Sequence, residues 1–465
     1  MAQLYVWGLN ARGQCGSDPC ETGGKGVLVP TLVRLPDGAR PAAVSCGAEH
    51  TACVDAEGKL YTWGANDEGQ LGDGTDGGQR AQPMRVDGIE GRCVAVSCGA
   101  RCTAAVAETG GGRTAIYSFG QYQHSNAPSL LRPLDHPFKH AVVVAVSCGD
   151  DHAAAVDDRG RVLTWGYDEC GQLGRGRASE GKQKPALVVC FDLDGEEAKG
   201  APHATHVACG FGHTVIASTA GVFTCGMGVH GQLGHLTRRG SALPADADAD
   251  GAPPPAAAAA APGQARPSAS RYFESVPRAV SVLSGVAIAK CFAGQGVSAA
   301  QTAAGELWVW GDGRFGTLGL GDDAPRSVPT RLLHSGTKIA ASGPCHQLCL
   351  ASDRSAYGWG YNGYAQADGS GHLRSSSFRF APAQVLGLVG GEVASLAAGG
   401  GHSAAILRTD ALVWLAEAAI ASQLREHLLA GPAAREEMRL VANRVAGARG
   451  APHRLVRLAN ALVAP

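Results

Sequence analysis

The sequence lacks the features that mark several large classes of protein. Neither sign of charge is in excess, since 40 Lys and Arg stand against 41 Asp and Glu, so there is no basic footprint for DNA or chromatin. No apolar run approaches the roughly eighteen residues that a membrane span requires. Walker loops, nucleophile elbows and HExxH motifs are also absent. These absences predict a chain with no DNA or chromatin partner, no membrane span, no cofactor and no catalytic centre.

The cysteines do not form a recognisable metal motif. Cys345, His346 and Cys349 lie close together in the sequence, but structural zinc sites usually show two paired sets of ligands, and no second pair lies near them. An odd total of 15 cysteines favours free thiols in a reducing compartment. Because the first predicted strand starts by residue 3 or 4, we expect no signal or transit peptide. The expected location is the cytoplasm, with the nucleus as the alternative.

Glycine and repetition are what the sequence has in abundance. Glycine accounts for 66 of 465 residues, about twice its usual share. A Gly-x-x-His segment recurs with a period of about fifty residues, which indicates copies of one unit that bury apolar surface against each other. The glycine of this segment is found at Gly47, Gly99, Gly149, Gly210, Gly294, Gly343 and Gly399. The histidine position holds His50, Cys102, His152, His213, Val297, His346 and His402.

An aromatic residue followed by glycine comes after most of these segments. The pairs are Trp63-Gly64, Phe119-Gly120, Trp165-Gly166, Trp310-Gly311 and Trp359-Gly360, with Cys225-Gly226 as a degenerate copy. No such pair follows His402, but Trp7-Gly8 lies at the other end of the chain. We therefore predict that the seventh copy is split between the termini and that the N-terminal strand closes a ring. The alternative is that residues 412–414 supply that strand.

Each copy is predicted to contain four short β-strands. Residues 59–63 and 161–165 alternate between apolar and polar side chains, as half-buried strands do. Residues 55–58 and 157–160 end in glycine and read as hairpin turns. These units favour an all-β, seven-bladed propeller over an open solenoid, because radial repetition leaves only short, protected sheet edges.

The repeated segments resemble a known family. Their elements are, in order, Gly-x-x-His, a hairpin, Trp-Gly and Gly-Gln-Leu-Gly, and the order is best preserved in residues 45–72, 147–174 and 208–234. This order is similar to the regulator of chromosome condensation repeat. The resemblance covers roughly residues 2–408 and implies a seven-bladed propeller. The WD-repeat type of propeller is not indicated, since the chain contains no Trp-Asp dipeptide.

The resemblance also implies candidate partner-binding residues. In family members that exchange nucleotide on the small GTPase Ran, acidic loop residues contact the GTPase. The corresponding candidates here are Asp67, Glu68, Asp150, Asp151, Asp168 and Glu169, of which Asp151, directly before His152, is the closest match. The basic N-terminal arm and the projecting wedge of the Ran exchange factor have no counterpart in this sequence.

The repeated histidines and tryptophans are predicted to be structural, because one per blade spreads them around the ring. A buried imidazole would bridge backbone groups of adjacent strands, and the indole would fill space between blades. This set contains His50, His152, His213, His346 and His402, with Trp7, Trp63, Trp165, Trp310 and Trp359.

Two regions depart from the repeat. We predict a propeller over residues 1–410, interrupted by a low-complexity, disordered insertion at 238–271. Residues 411–465 switch to helical periodicity and predict a short α-helical extension. This extension either packs on the propeller as a cap or binds a partner or a membrane surface.

The sequence therefore predicts a monomeric, non-enzymatic scaffold or regulator that binds a protein partner through its loop face. The candidate partners are a small GTPase, a component of the ubiquitin pathway or a cytoskeletal component. Guanine-nucleotide exchange on a small GTPase of the Ran type is the alternative function. The identity of the partner is not encoded in any motif.

Overall fold

The strands form a ring of seven sheets. The computed structural model describes residues 2–20, 26–75, 77–121, 138, 141–191, 202–235, 272–332, 337–352, 354–371, 377–388 and 392–408. Within these ranges there are six four-stranded sheets and one three-stranded sheet, which confirms the predicted seven-bladed β-propeller. The predicted insertion at 238–271, the helical extension at 411–465 and the alternative closing strand at 412–414 lie outside the described residues.

We number the blades from the first unbroken copy and the strands from the N-terminus. Blade 1 contains β3 (Pro41–Cys46), β4 (His50–Asp55), β5 (Leu60–Ala65) and β6 (Gln79–Arg85). Blade 2 contains β7 (Arg92–Cys98), β8 (Cys102–Glu108) and β9 (Thr114–Gly120). Blade 3 contains β10 (Val143–Cys148), β11 (His152–Asp157), β12 (Val162–Asp168) and β13 (Ser179–Leu187). Blade 4 contains β14 (Ala204–Cys209), β15 (His213–Ser218), β16 (Gly221–Met227) and β17 (Phe273–Ala279).

The remaining blades follow the same order. Blade 5 contains β18 (Ile288–Ala293), β19 (Val297–Thr302), β20 (Leu307–Gly311) and β21 (Arg326–Leu332). Blade 6 contains β22 (Thr337–Ser342), β23 (His346–Ala351), β24 (Ala356–Tyr361) and β25 (Phe378–Gln384). Blade 7 joins β26 (Glu392–Ala398) and β27 (His402–Arg408) to β1 (Ala2–Gly8) and β2 (Val27–Val33). Short 3₁₀ turns occur at Pro36–Gly38, Ser281–Leu283 and Arg314–Gly316.

Blade 7 closes the ring in the register of the unbroken blades. Gly8 pairs with His402 and Trp7 with Ser403, as Gly64 pairs with His50 and Trp63 with Thr51 in blade 1. The N-terminus supplies two strands of this blade, because β2 pairs with β1 on its outer side. The predicted closure by the N-terminal strand is therefore confirmed.

The seven repeat glycines form the inner wall of the ring. A Cβ atom at any of them would lie within 2.5 Å of the carbonyl oxygen of the repeat glycine in the next blade. The series runs from Gly47 to Gly99 and returns from Gly399 to Gly47. Only glycine permits the backbones to approach this closely around the axis.

Proline protects the outer edge of the ring. Each described outer strand contains one, at Pro30, Pro83, Pro185, Pro277, Pro329 and Pro382. Proline has no N–H for a sheet ladder and is tolerated only on edge strands. These residues therefore hinder edge-to-edge pairing with other chains.

The repeat histidines connect one blade to the next through a side-chain hydroxyl. His50 Nε2 lies 2.9 Å from Thr103 Oγ1, and Thr103 Oγ1 donates to the Gln70 carbonyl at 2.8 Å. The same chain joins His152, Thr214 and Gln172; His213, Ser298 and Gln232; His346, Ser403 and Gln366; and His402, Thr51 and Gln14. The imidazole thus reaches the backbone through a hydroxyl of the neighbouring blade, which differs from the direct contact with backbone groups that the sequence suggested.

Three tryptophans of the Trp-Gly pairs, Trp7, Trp63 and Trp310, donate to the same carbonyl groups that the hydroxyls use. Trp63 Nε1 donates to the Gln14 carbonyl at 2.9 Å, and Trp7 Nε1 donates to the Gln366 carbonyl at 2.9 Å. Each of these carbonyls therefore accepts two hydrogen bonds from the next blade, one from an indole and one from a hydroxyl. Apolar clusters, such as that of Val6, Cys53 and Trp63, fill the rest of each interface.

The first prediction concerns the shared hydroxyl. Replacing Thr103 by Val keeps the side-chain shape but leaves the buried His50 Nε2–H and the Gln70 carbonyl without this partner. We expect the free energy of unfolding to fall by about 1–3 kcal/mol, measured by denaturant titration. The exposed Thr31→Val in β2 is the matched control and should change stability by less than about 0.5 kcal/mol. Equal effects of the two substitutions would contradict the proposed role.

The second prediction concerns pH. Burial lowers the pKa of His50 and His213 to about 4, and that of His152, His346 and His402 to about 3. These rings are neutral in the fold, whereas the unfolded chain takes up protons below about pH 6.5. Stability should therefore be highest above that pH and fall toward pH 4, by up to about 1.4 kcal/mol per pH unit for each histidine.

Urea titrations at a series of pH values test this dependence. The variant His346→Leu should lose stability at neutral pH, but its dependence on pH should be weaker by about one proton. A wild-type stability that stays constant between pH 6.5 and pH 5 would contradict the assignment of neutral, buried imidazoles.

Candidate functional site

Two sets of loops share one face of the ring, which we call the upper face. The inner loops join the first and second strands of each blade and include residues 47–49 and 149–151. The outer loops join the third and fourth strands and include residues 66–78 and 169–178. Hairpins such as 56–59 and the links between blades, such as 86–91, lie on the opposite, lower face. All six candidate partner-binding residues belong to loops or strand ends on the upper face.

Three of the candidates carry charges that act on the phenol of Tyr167, which is half-buried near the end of β12. The backbone N–H of Tyr167 donates to the Asp151 carbonyl at 2.8 Å, which places the inner and outer loops of blade 3 side by side. Burial raises the pKa of the Tyr167 phenol, and the negative charges of Asp151, Glu169 and Glu68 raise it further. Glu68 belongs to blade 1, so this acidic group extends across blade 2.

Two arginines hold the blade 1 part of this group. Arg12, from the outer loop of blade 7, pairs with Asp67, and Arg101, from the inner loop of blade 2, pairs with Glu68 at 3.2 Å. Burial raises the pKa of the neighbouring Glu49 carboxyl, and the charges of Arg12 and Arg101 oppose that rise. We call Glu49, Asp67, Glu68, Asp151 and Glu169, with Arg12, Arg101 and Tyr167, the acidic sector.

Asp150 occupies a different place, at the mouth of the central channel. It lines this channel together with the repeat glycines Gly47, Gly99 and Gly210. Its charge also raises the pKa of the Cys345 thiol, behind the effect of burial. Asp150 therefore faces the axis of the ring, while Asp151 faces the acidic sector.

Asp168 was expected to contact a partner, but its side chain is buried. Its Oδ1 accepts a hydrogen bond from the Leu173 N–H at 2.9 Å, and burial raises the pKa of its carboxyl. Asn10, Asn66 and Asn362 make the same contact in their outer loops, to residues five positions later. Asp168 thus organises a loop and presents no carboxylate to a partner.

Sequence reasoning missed Arg12, Arg101 and Tyr167. A signal for Arg101 was present, since it precedes the histidine position of blade 2 as Glu49 and Asp151 precede theirs. For Arg12 there was no comparable signal, because the ring closure that brings it beside Asp67 joins residues 55 positions apart.

The described residues offer no metal centre. Nowhere in the described ranges do three His, Cys, Asp or Glu side chains come together as potential ligands. His346 of the Cys345-His346-Cys349 segment is engaged with Ser403. No described segment forms a helix with the length and hydropathy of a bilayer span.

The arrangement can be compared with known proteins. Models of the regulator of chromosome condensation (RCC1) repeat match residues 2–54, 57–106, 159–217 and 304–346, and a second model of this repeat matches 42–70 and 143–172. The ultraviolet-B receptor UVR8 of Arabidopsis thaliana is 27% identical over 383 residues, which cover 80% of this chain and 76% of the receptor. The regulator of chromosome condensation of Xenopus laevis is 27% identical over 401 residues, which cover 82% and 84% of the two chains.

A solved structure shows the same fold. Prp20p from Saccharomyces cerevisiae, whose crystal structure was described with its binding to Gsp1p and histones, superposes with a TM-score of 0.68 and 18% identity. The match covers 91% of this chain and 95% of Prp20p. With these matches and its seven closed blades, the chain is a seven-bladed β-propeller that contains regulator of chromosome condensation (RCC1) repeats.

Proposed function

We propose that this propeller is a non-enzymatic regulator or scaffold that binds a protein partner through its upper face. The acidic sector carries the proposal, because five carboxylates from blades 1 and 3 are placed there with two arginines. Clustered charge of one sign steers an oppositely charged partner and fixes its orientation. The partner surface is therefore basic.

The contacts within the sector separate two kinds of carboxylate. Asp67 and Glu68 are held by Arg12 and Arg101, so a partner would compete with these pairs. Exposed Glu169 and half-buried Asp151 lie beside Tyr167, whose phenol adds an apolar body with a polar tip. We assign the first contact with the partner to Glu169, whose side chain is exposed.

The fifteen cysteines support a reducing location for this activity. All of them are free, and disulfides are rare in proteins of compartments that keep thiols reduced. We place the protein in the cytoplasm, with the nucleus as the alternative.

The third prediction tests the upper face with two variants of equal charge change. One carries Glu68→Ala, Asp151→Ala and Glu169→Ala in the acidic sector. The other carries Glu57→Ala, Asp87→Ala and Glu90→Ala, which are exposed on the lower face. Affinity capture from lysate, quantified by mass spectrometry, should show partners that bind the wild type and the lower-face variant but are reduced about tenfold with the acidic-sector variant.

Thermal melting of both variants checks that each is folded. Partners retained in full by the acidic-sector variant would contradict the proposal. Partners lost only with the lower-face variant would move the binding site to the opposite face.

Guanine-nucleotide exchange on a small GTPase is the second candidate function. It is favoured by Asp151, directly before His152, and by the likeness to Prp20p, whose structure was described together with its binding to Gsp1p. An exchange factor must bind the nucleotide-free GTPase more tightly than the nucleotide-bound form, because the two affinities are linked.

The fourth prediction separates the two functions. Release of a fluorescent guanine nucleotide from a panel of purified small GTPases should not be accelerated by this protein if it is a scaffold. If the wild type and the lower-face variant accelerate nucleotide release and the acidic-sector variant does not, the protein is an exchange factor and not only a scaffold. The same panel, stripped of nucleotide, shows whether any GTPase binds without exchange.

A further inference from the structure

Blades 5 and 6 lack the histidine–hydroxyl chain at their interface. Val297 occupies the histidine position of blade 5, and Gln347 occupies the hydroxyl position of blade 6. The acceptor that would complete the chain is present, since the Thr317 carbonyl accepts a hydrogen bond from Trp359 Nε1 at 3.1 Å. This interface therefore lacks the histidine–hydroxyl link, and its buried polar contact lies instead toward the lower face, where Gln301 Nε2 of blade 5 donates to the Thr337 carbonyl of blade 6 at 2.5 Å.

The links near the axis are also reduced at this interface. In the first three blades a serine hydroxyl accepts the N–H of the next blade at 2.9 Å, as from Cys98 to Ser45 and from Cys148 to Ser97. Phe292 occupies that serine position in blade 5. The backbone bond at the axis connects Gln295 N–H to the Pro344 carbonyl at 3.4 Å, whereas five other interfaces bond to the repeat glycine at 3.0 to 3.3 Å. Between blades 6 and 7 this bond is absent because Pro344 has no N–H, but that interface keeps the His346 chain.

A small void accompanies these missing links. A cavity of about 10 Å³ is lined by Phe292, Val297, Gln347, Leu348 and Trp359, among others. Atoms that line a void lose the van der Waals partners that a close-packed core would supply. The interface therefore combines a small packing defect with the absence of the histidine–hydroxyl chain.

The other interfaces keep at least one of these links. Blades 2 and 3 also lack the histidine chain, with Cys102 and Ala153 in its positions, but they retain the Ser97 bond and the regular bond from Ala100 N–H to the Gly149 carbonyl at 3.3 Å. Closing blade 7 has a complete chain on both sides, through His346 and His402.

We propose that the ring opens locally between blades 5 and 6, rather than at the blade that joins the two ends of the repeat region. The opening begins at the axis, where the links are fewest. Farther out, the Phe315 ring of blade 5 stacks on Phe378 of blade 6 with centroids 5.2 Å apart, and Gly321 N–H donates to the Phe380 carbonyl at 2.8 Å. These outer contacts act as the pivot, so that opening changes the spacing of the upper-face loops of the two blades.

The fifth prediction is tested first by hydrogen exchange and mass spectrometry on the wild-type protein. Peptides covering 288–302 and 337–351 should exchange faster than the equivalent peptides of closing blade 7, at 392–408 and 2–8. Sub-global opening exposes the least-linked units first. Faster exchange in blade 7 than in blades 5 and 6 would overturn the proposal.

Repair of the interface gives a second test. The double variant Val297→His and Gln347→Thr restores the chain to the Thr317 carbonyl, and exchange in blades 5 and 6 should slow by about tenfold. The single variant Val297→His buries an imidazole without its hydroxyl and should speed exchange. The matched repair, Cys102→His with Ala153→Thr, should leave exchange in blades 5 and 6 unchanged. A folded double variant that exchanges there like the wild type would contradict the proposal.

Discussion

The hydrogen bond between a buried imidazole in one blade and a hydroxyl in the next is the interaction on which the ring depends. A neutral histidine has one N–H to place, and leaving it unpaired in the interior costs more than the hydrogen bond contributes. At five interfaces the N–H lies against a threonine or serine hydroxyl. That hydroxyl in turn donates to a glutamine carbonyl. Where Cys102 and Val297 replace histidine, the next blade carries Ala153 and Gln347 in place of the hydroxyl. Histidine and hydroxyl are thus present together or absent together at all seven interfaces.

This arrangement separates stability from recognition. The upper-face loops supply the repeat glycines and the glutamine carbonyls that the histidine chains use, such as Gly47 and Gln70. Other positions in the same loops make none of these contacts. Two loop positions in one turn illustrate the division. Asp168 is buried and shapes the outer loop of blade 3, while the adjacent Glu169 is exposed in the acidic sector. Loop residues can therefore change the partner without altering the blades.

The repeat made most of the fold predictable from sequence, because every blade pairs its histidine position with a residue followed by glycine, which is Trp-Gly in five of the seven blades. Closure by Trp7 and Gly8 followed from the missing pair after His402. The hydroxyl partner was not found, because it lies one blade further along the chain, directly after the next histidine position. Residues 13–16 also escaped notice as the blade 7 copy of Gly-Gln-Leu-Gly, since Cys15 replaces its leucine. Asp168 was misassigned because an acidic residue in a turn looks the same in sequence whether it caps a backbone N–H or faces solvent.

The coupling between His402 and Thr51 tests the account most directly. These residues lie 351 positions apart and are joined by a hydrogen bond only if blade 7 closes against blade 1. A double-mutant cycle with His402→Leu and Thr51→Val, read from unfolding free energies at pH 7.5, should give a coupling of about 1 kcal/mol or more. The same cycle between His402 and Thr103, which belongs to a different interface, should be additive. Additivity for His402 and Thr51 as well would contradict both the chain of hydrogen bonds and the closure of the ring.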